Sequence, residues 1–268
     1  MTLRIMTWNV NSLRLRLEHV ERLIDEINPD VFCFQEIKLE TSKFPDQALS
    51  ALGYPYHAVR GMKSYNGVAI TSRFPLEEPQ ERRLWCDKDD ARHLSVRLQR
   101  DGKDPVFIEN FYVPAGGDEP DPEKNEKFAH KLAFLKEMAT AYDPNSPEKR
   151  VLVGDLNVAP LEHDVWSHKQ LLKVVSHTPI EVDLFTKAQQ AGQWQDALRA
   201  LVPSEEKLYS WWSYRARDWR KSNRGRRLDH IWLSPSLQGH LKNGAIHDTA
   251  RDWKPASDHA PVWVELDV

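Results

Sequence analysis

The 268-residue sequence lacks most of the features that mark large protein classes. It has only two cysteines, Cys33 and Cys86, far apart and outside any CxxC pair. That argues against a disulfide scaffold or a cysteine-built zinc site and points to a reducing, cytoplasmic setting. No apolar run approaches the ~18–20 residues of a membrane span, so no membrane association is expected. The opening Met1-Thr2-Leu3-Arg4-Ile5-Met6 runs straight into a strand-like pattern, with no signal peptide visible. GxSxG, P-loop and GxGxxG motifs are all missing, which removes the usual signals of acyl transfer, P-loop nucleotide hydrolysis and dinucleotide binding. No repeat, low-complexity block or Gly/Ser linker divides the chain, so residues 1–268 read as one domain. The formal net charge of −3 argues against a protein that coats polyanions over its whole surface, but not against one with a local basic face.

What is present is a set of strands. Residues 3–10, 31–35, 67–71, 93–98, 106–112, 150–156, 228–234 and 261–268 carry strand-like apolar patterns. Leu13, Leu17, Val20, Ile24 and Ile27 recur at helical steps, as do Phe128, Leu132, Leu135 and Met138. Further helices are expected over 181–191 and 194–201. Long strands in mixed order with few helices predict packed sheets with helices outside.

The strands share one peculiarity. The first leads to Asn9 and Asn11, the second to Gln35 and Glu36, the fifth to Tyr112, and the sixth to Asp155 and Asn157. Asp229 opens the seventh, and Asp258 and His259 precede the eighth. Taken singly, Glu36 is an ordinary strand-end acid, Asp155 a turn cap, Asn9 a helix cap and His259 a surface histidine. Nothing in those separate readings explains why polar groups stand at so many strand ends together. If those ends share one rim, they form one polar pocket on a rigid scaffold. Carboxylates with amide oxygens are hard ligands, suited to Mg²⁺ or Mn²⁺. With a base, an imidazole and a phenol they suit phosphate-ester hydrolysis.

The stretch 211–227 differs from the rest. Arg215, Arg217, Arg220, Lys221, Arg224, Arg226 and Arg227 interleave with Trp211, Trp212, Tyr214 and Trp219, opposed only by Asp218. Arginines match phosphates and aromatics stack on bases, so the segment reads as a DNA contact, against the alternative of a solvated basic loop.

"TWNVNSLR", "FQEIK", "YNGVAI", "NFYVPAG", "GDLNVAP", "RRLDHIW" and "SDHAPV" stand in an order that resembles the exonuclease III family of magnesium-dependent apurinic/apyrimidinic endonucleases. The resemblance implies an α/β (α+β) four-layered sandwich, two mixed sheets face to face with helices on both outer sides, as in deoxyribonuclease I. It implies Mg²⁺, or Mn²⁺ in its place, held by Glu36 with Asn11 and Asp258 close by. Asn9 is expected to donate to the phosphate, Asp155 to activate water, and Asn157 to orient it. Tyr112 is expected to contact the scissile phosphate, and His259, oriented by Asp229, to stabilise the transition state. The partner implied is double-stranded DNA, above all at abasic sites, met by a monomer. Trp211, Trp212 and Leu228 are expected to line the sugar pocket, with Arg215, Arg217, Arg224 and Arg226 on phosphates. Tyr65, Asn66 and Arg92 are expected on the DNA backbone across the lesion. Two positions depart from the family: Ala115 stands where an amide is common, and Arg226 where a bulky apolar residue commonly closes the pocket. Competing readings are a lipid- or inositol-phosphate phosphoesterase of the same superfamily and a non-catalytic DNA-binding module.

Overall fold

The structure is a computed structural model and describes residues 2–80, 83–216 and 218–268. Among the described residues the strands are β1 (Thr2–Asn9), β2 (Val31–Gln35), β3 (Tyr56–Arg60), β4 (Val68–Ser72), β5 (Leu76–Glu77), β6 (His93–Leu98), β7 (Val106–Tyr112), β8 (Lys149–Asp155), β9 (Gln195–Asp196), β10 (Trp211–Trp212), β11 (Gly225–Arg226), β12 (Asp229–Leu233), β13 (Leu241–Ile246) and β14 (Val262–Asp267). The helices are α1 (Leu17–Glu26), α2 (Asp46–Ala51), α3 (Glu126–Met138), α4 (His168–Leu171), α5 (Pro179–Ala191), α6 (Ala197–Leu201) and α7 (Trp219–Ser222).

The strands form two six-stranded mixed sheets, ordered β13-β14-β1-β2-β4-β3 and β5-β6-β7-β8-β12-β9, and a ribbon, β10-β11. Each sheet has one parallel pair, β1 with β2 and β7 with β8. Alternation along the strands assigns the layers. Leu3 and Ile5, Val31 and Cys33, Val68 and Ile70 meet Val106 and Ile108, Val151 and Val153, Ile231 and Leu233 in one core between the sheets. The alternate, even-numbered residues Met6, Trp8, Phe32 and Phe34 pack outward with α1 and α2 residues such as Val20, Leu23 and Leu49. Phe111, Leu152 and Trp232 pack the other way, against Phe128, Leu132, Leu135 and Phe185 of α3 and α5. The order is therefore helix, sheet, sheet, helix.

The sequence pattern misses the edge strands of both sheets, β3 and β13 of one and the two-residue β5 and β9 of the other. In β3 half the side chains are solvated, and in β13 Asn243-Gly244 interrupts any apolar pattern, with a bulge between Leu241 and Asn243. The expected helix over 194–201 is a short strand followed by α6, because Asp196 caps α6 by accepting from the Arg199 amide at 3.1 Å. Gly154 has no substitute in β8: its φ is +142°, and a Cβ would lie 1.9 Å from the Phe111 carbonyl oxygen.

Candidate active site

The inward-facing positions that build the inter-sheet core end in polar residues. On β1 the series Leu3, Ile5, Thr7 leads to Asn9; on β8 Val151, Val153 leads to Asp155; on β12 it starts at Asp229. β12 runs antiparallel to β8 and pairs Asp229 with Asp155, which puts both carboxylates at the same end. Below them lies a polar layer. Gln35 Nε2 donates to Thr7 Oγ1 at 2.9 Å and to Asn110 Oδ1 at 2.7 Å, and Asn110 Nδ2 donates across to Phe34 O and Ala69 O at 3.0 Å. This layer ties the two sheets together directly beneath the site.

Beyond the strand ends the chain turns through left-handed backbone at Asn11, Glu36 and Asn157 (φ 45°, 50° and 55°). Asparagine tolerates that conformation; for Glu36 it costs about 1–2 kcal/mol. The cost is consistent with a side chain aimed for use rather than for packing.

Asn9 Nδ2 bridges the two sheets, donating to Glu36 Oε1 at 2.8 Å and to Asp155 Oδ2 at 2.9 Å. The Tyr112 hydroxyl donates to Glu36 Oε1 at 2.9 Å, and Lys38 Nζ stands 2.9 Å from Glu36 Oε2. Burial pushes Glu36 upward, but the donors Asn9 and Lys38 outweigh it and hold the carboxyl below its usual range. Burial, then Glu36 and Asp155, push the Tyr112 phenol well above its ordinary value, so it stays protonated. Asn157 N donates to Asp155 Oδ1 at 3.1 Å and its Nδ2 to Val113 O at 2.9 Å.

His259 Nδ1 meets Asp229 Oδ2 at 2.8 Å, which leaves Nε2 facing Asp155 Oδ2 at 3.7 Å. Burial alone would lower the imidazole, yet Asp229 and Asp155 raise it to about 10. Burial raises Asp155 to about 7 against the pull of His259, with Asp229 and Glu36 adding to the rise. Ser210 fixes Asp229: its Oγ donates to Oδ2 at 2.6 Å and accepts from the Leu228 and Asp229 amides at 3.0 Å. The 257–259 turn is clamped to β1, since Ser257 Oγ donates to Asn9 O at 2.7 Å and Trp8 Nε1 to His259 O at 3.1 Å.

The cation question turns on donor chemistry. Asp155, Asp229 and His259 offer ligand atoms within 4.8 Å of one another and could hold an ion. Their side chains are engaged with each other, however. The second group is Glu36, Asn11 and Asp258, which are hard oxygen donors. Asn11 Nδ2 donates to Asp258 Oδ1 at 3.1 Å, and the Lys38 ammonium bonds both Glu36 and Asn11 Oδ1. A chain cation already seated between those oxygens marks a place that favours positive charge.

Glu36, Tyr112, Asp155, Asn157, Asp258 and His259 line one cleft of about 540 Å³. Trp211, Arg215, Arg224, Arg226 and Leu228 form its other wall. Asp229 and Asn9 stand just behind it. A larger groove of about 790 Å³ lies at the opposite end of the sheets, around Arg4, Asp30, Tyr56 and Arg100, and contains none of this chemistry.

Several expected DNA-facing residues are placed elsewhere. Trp212 does not line the cleft. Neighbours on β10 point to opposite sides, so Trp211 faces the cleft while Trp212 is buried beside Tyr209 and Trp219, its Nε1 donating to Asn223 Oδ1 at 3.1 Å. Asn66 is 1 % exposed and donates to Asp90 O at 2.8 Å, so its side chain is not on the surface. Arg92 is buried, paired to Asp90 Oδ2 at 2.6 Å, with its guanidinium 4.7 Å above the Tyr112 ring; it backs Tyr112 rather than facing solvent. Tyr65, by contrast, is 58 % exposed. Arg217 lies outside the described residues.

The sequence reading passed over Ser210 and Lys131, and it grouped Arg227 with the DNA-facing arginines, whereas Arg227 pairs with Asp164 and Asp196. Lys131 Nζ is fully buried, 2.5 Å from Glu181 Oε1, and donates to Asn157 O at 2.7 Å. Its signal was visible: the 3.6-residue period puts position 131 on the apolar face with Phe128, Leu132 and Leu135. Lys131→Met should lower stability by about 3–5 kcal/mol, because it leaves Glu181 buried and unpaired. Urea denaturation would measure this.

A polar cleft at the ends of two packed mixed sheets, with a carboxylate facing a carboxylate-backed histidine, has the groups that phosphoester hydrolysis needs. The chain belongs to the endonuclease/exonuclease/phosphatase family, whose pattern it matches over residues 6–259, and within it stands with the exonuclease III and AP endonuclease enzymes. It is 28 % identical over 278 residues to exodeoxyribonuclease III of Haemophilus influenzae, covering 98 % of this chain and 100 % of that protein. It superposes on an AP endonuclease from Archaeoglobus fulgidus with a TM-score of 0.86 at 31 % identity, over 99 % of this chain and 100 % of the other. A 3′ phosphatase from Neisseria bound to product DNA hairpin gives 0.82 at 31 % identity, with the same coverage. Among the described residues no helix is long and apolar enough to cross a membrane.

Proposed function

We propose that the chain is a Mg²⁺-dependent DNA-repair nuclease, a single-domain monomer that hydrolyses the phosphodiester 5′ to abasic sites in duplex DNA and also trims or unblocks 3′ ends. The observation that carries this reading is the set Asp155–His259–Asp229, with 3.7 Å and 2.8 Å between its members, facing Glu36 across one cleft. Glu36, with Asn11 and Asp258, would hold the cation. When bound, it supplies positive charge to phosphoryl oxygens. Asp155, raised toward neutrality by burial, is matched to taking a proton from the attacking water. Asn157 and Asn9 fix the orientation of water and phosphate, and the protonated Tyr112 donates to a phosphoryl oxygen. The His259 imidazolium faces the charge that develops there. Trp211 and Leu228 wall the sugar side, and Arg215 and Arg224 reach the phosphates beside it.

A duplex with a single abasic analogue tests the reading beside an undamaged 3′-recessed duplex. Incision 5′ to the lesion is expected with Mg²⁺ and lost in excess EDTA. Incision that survives EDTA rejects the reading. Duplex affinity should fall with salt, with log K against log [salt] sloping by about −0.9 for each phosphate neutralised, so about −2 for Arg215 and Arg224. A flat response rejects the DNA wall.

A further inference from the structure

Arg226 and Arg227 are adjacent yet stand in opposite electrostatic settings. Arg227 is buried and pairs bidentately with Asp164 at 2.8 Å and with Asp196 at 2.6 Å. Arg226 has no carboxylate within 4.0 Å among the described residues. Its Nη1 donates to the neutral Val175 O at 3.1 Å and Ser176 Oγ at 2.9 Å, and its Nε is buried with no partner. Burial lowers its pKa, and Glu181 acts on it from a distance in the opposite sense. Glu181 is already held by Lys131 at 2.5 Å and by the Ser176 amide at 2.9 Å.

This guanidinium lines the catalytic cleft. β10 and β11 pair Trp211 with Arg226, and the guanidinium lies 5.2 Å above the Trp211 ring, which itself donates to Asp258 Oδ2 at 3.0 Å. Arg224 reinforces it from the rim, 4.7 Å above Trp166. The cleft therefore has an acidic end, at Glu36, Asp155 and Asp258, and a cationic end, at Arg226. A neutral sugar at the cationic end would leave a partly desolvated guanidinium uncompensated.

We propose that Arg226 is a specificity-determining residue that favours 3′ termini whose blocking phosphate carries a second anionic group, a carboxylate or a further phosphate, over neutral deoxyribose. The proposal rests on the nuclease reading above. In the reaction the oxygen of water bonds to phosphorus and the P–O3′ bond breaks. The 3′ oxygen keeps the electron pair and takes one proton of the water. The other proton stays on the released phosphate, which departs with its substituent still attached. That substituent is the part of the substrate that would occupy the Arg226 end.

The test compares two gapped duplexes, one ending in 3′-phosphoglycolate and one in the 3′-phospho-2-hydroxyethyl ester, which differ only in a carboxylate against a hydroxymethyl group. The native enzyme should prefer the glycolate by about ten- to a hundredfold in kcat/KM, the range of a charge-assisted hydrogen bond. Arg226→Gln should bring the ratio to within about twofold of unity, Arg226→Lys should keep part of it, and added salt should shrink it. Equal rates on both substrates by the native enzyme, or a ratio unchanged in Arg226→Gln, would overturn the inference while leaving the nuclease reading intact. No cleavage of either substrate by the native enzyme overturns the inference and the 3′-unblocking part of the nuclease reading, while incision of the abasic duplex tests the rest. The native ratio does not depend on any variant folding.

Discussion

Asp155→Asn lowers kcat on an abasic duplex by about 10³–10⁴-fold, the range of a lost general base. The substitution is nearly isosteric, and an amide oxygen can still accept from Asn9 Nδ2, so the loss falls on chemistry rather than on shape. The same change should stabilise the metal-free protein at pH 8. The folded carboxyl is raised from 3.8 to about 7, so its favourable contribution is complete below pH 3.8 and is lost as pH rises to 7. Above that, a buried charge stands beside Asp229 and Glu36. Removing it relieves that repulsion, at about 2–4 °C in Tm for each kcal/mol. Single-turnover kinetics and a thermal melt in EDTA measure the two halves. Full activity in the variant removes Asp155 from the base role, and a lower Tm contradicts the charge argument.

His259→Ala costs about 10²–10³-fold, comparable to losing one electrostatic contact to a developing oxyanion. Asp229→Asn separates orientation from charge. Asp229 is the largest of the three carboxylate influences, with Asp155 and Asp258, that raise the imidazole to about 10. Without it the histidine loses its proton at lower pH, so the basic limb of kcat/KM moves down by a unit or more. In the native protein the pairing stabilises the fold fully below pH 6.5, and this is lost as pH rises through about 10. A basic limb that stays in place in Asp229→Asn would show that the imidazolium is not the working form.

The central strands were legible because each alternates or carries an unbroken apolar stretch, as residues 31–34 and 151–153 do. Edge strands were not, since β3 and β13 need only half a face buried and tolerate Tyr56 or Gly244 without a pattern. The polar strand ends were legible as a group for a geometric reason: an inward position at the end of a core-facing series must either close the core or line a cleft. Sequence position did not reveal side-chain direction in short elements. Trp211 and Trp212 are indistinguishable in the sequence, and one peptide unit of alternation sends them to different places. The same step sends Arg226 to the cleft and Arg227 to the buried Asp164 and the half-buried Asp196. Arg92 and Asn66 were misplaced because a buried arginine held by one aspartate and one aromatic face leaves no mark in the sequence.

The polar layer of Gln35, Thr7 and Asn110 crosses between the sheets directly under the reacting groups, so the groove has no floor of its own. The reacting constellation exists only while the two sheets are seated face to face. Hydrolysis should then report the intact population in all-or-none fashion during denaturant titration, vanishing in step with the near-ultraviolet signal of the buried tryptophans rather than ahead of it.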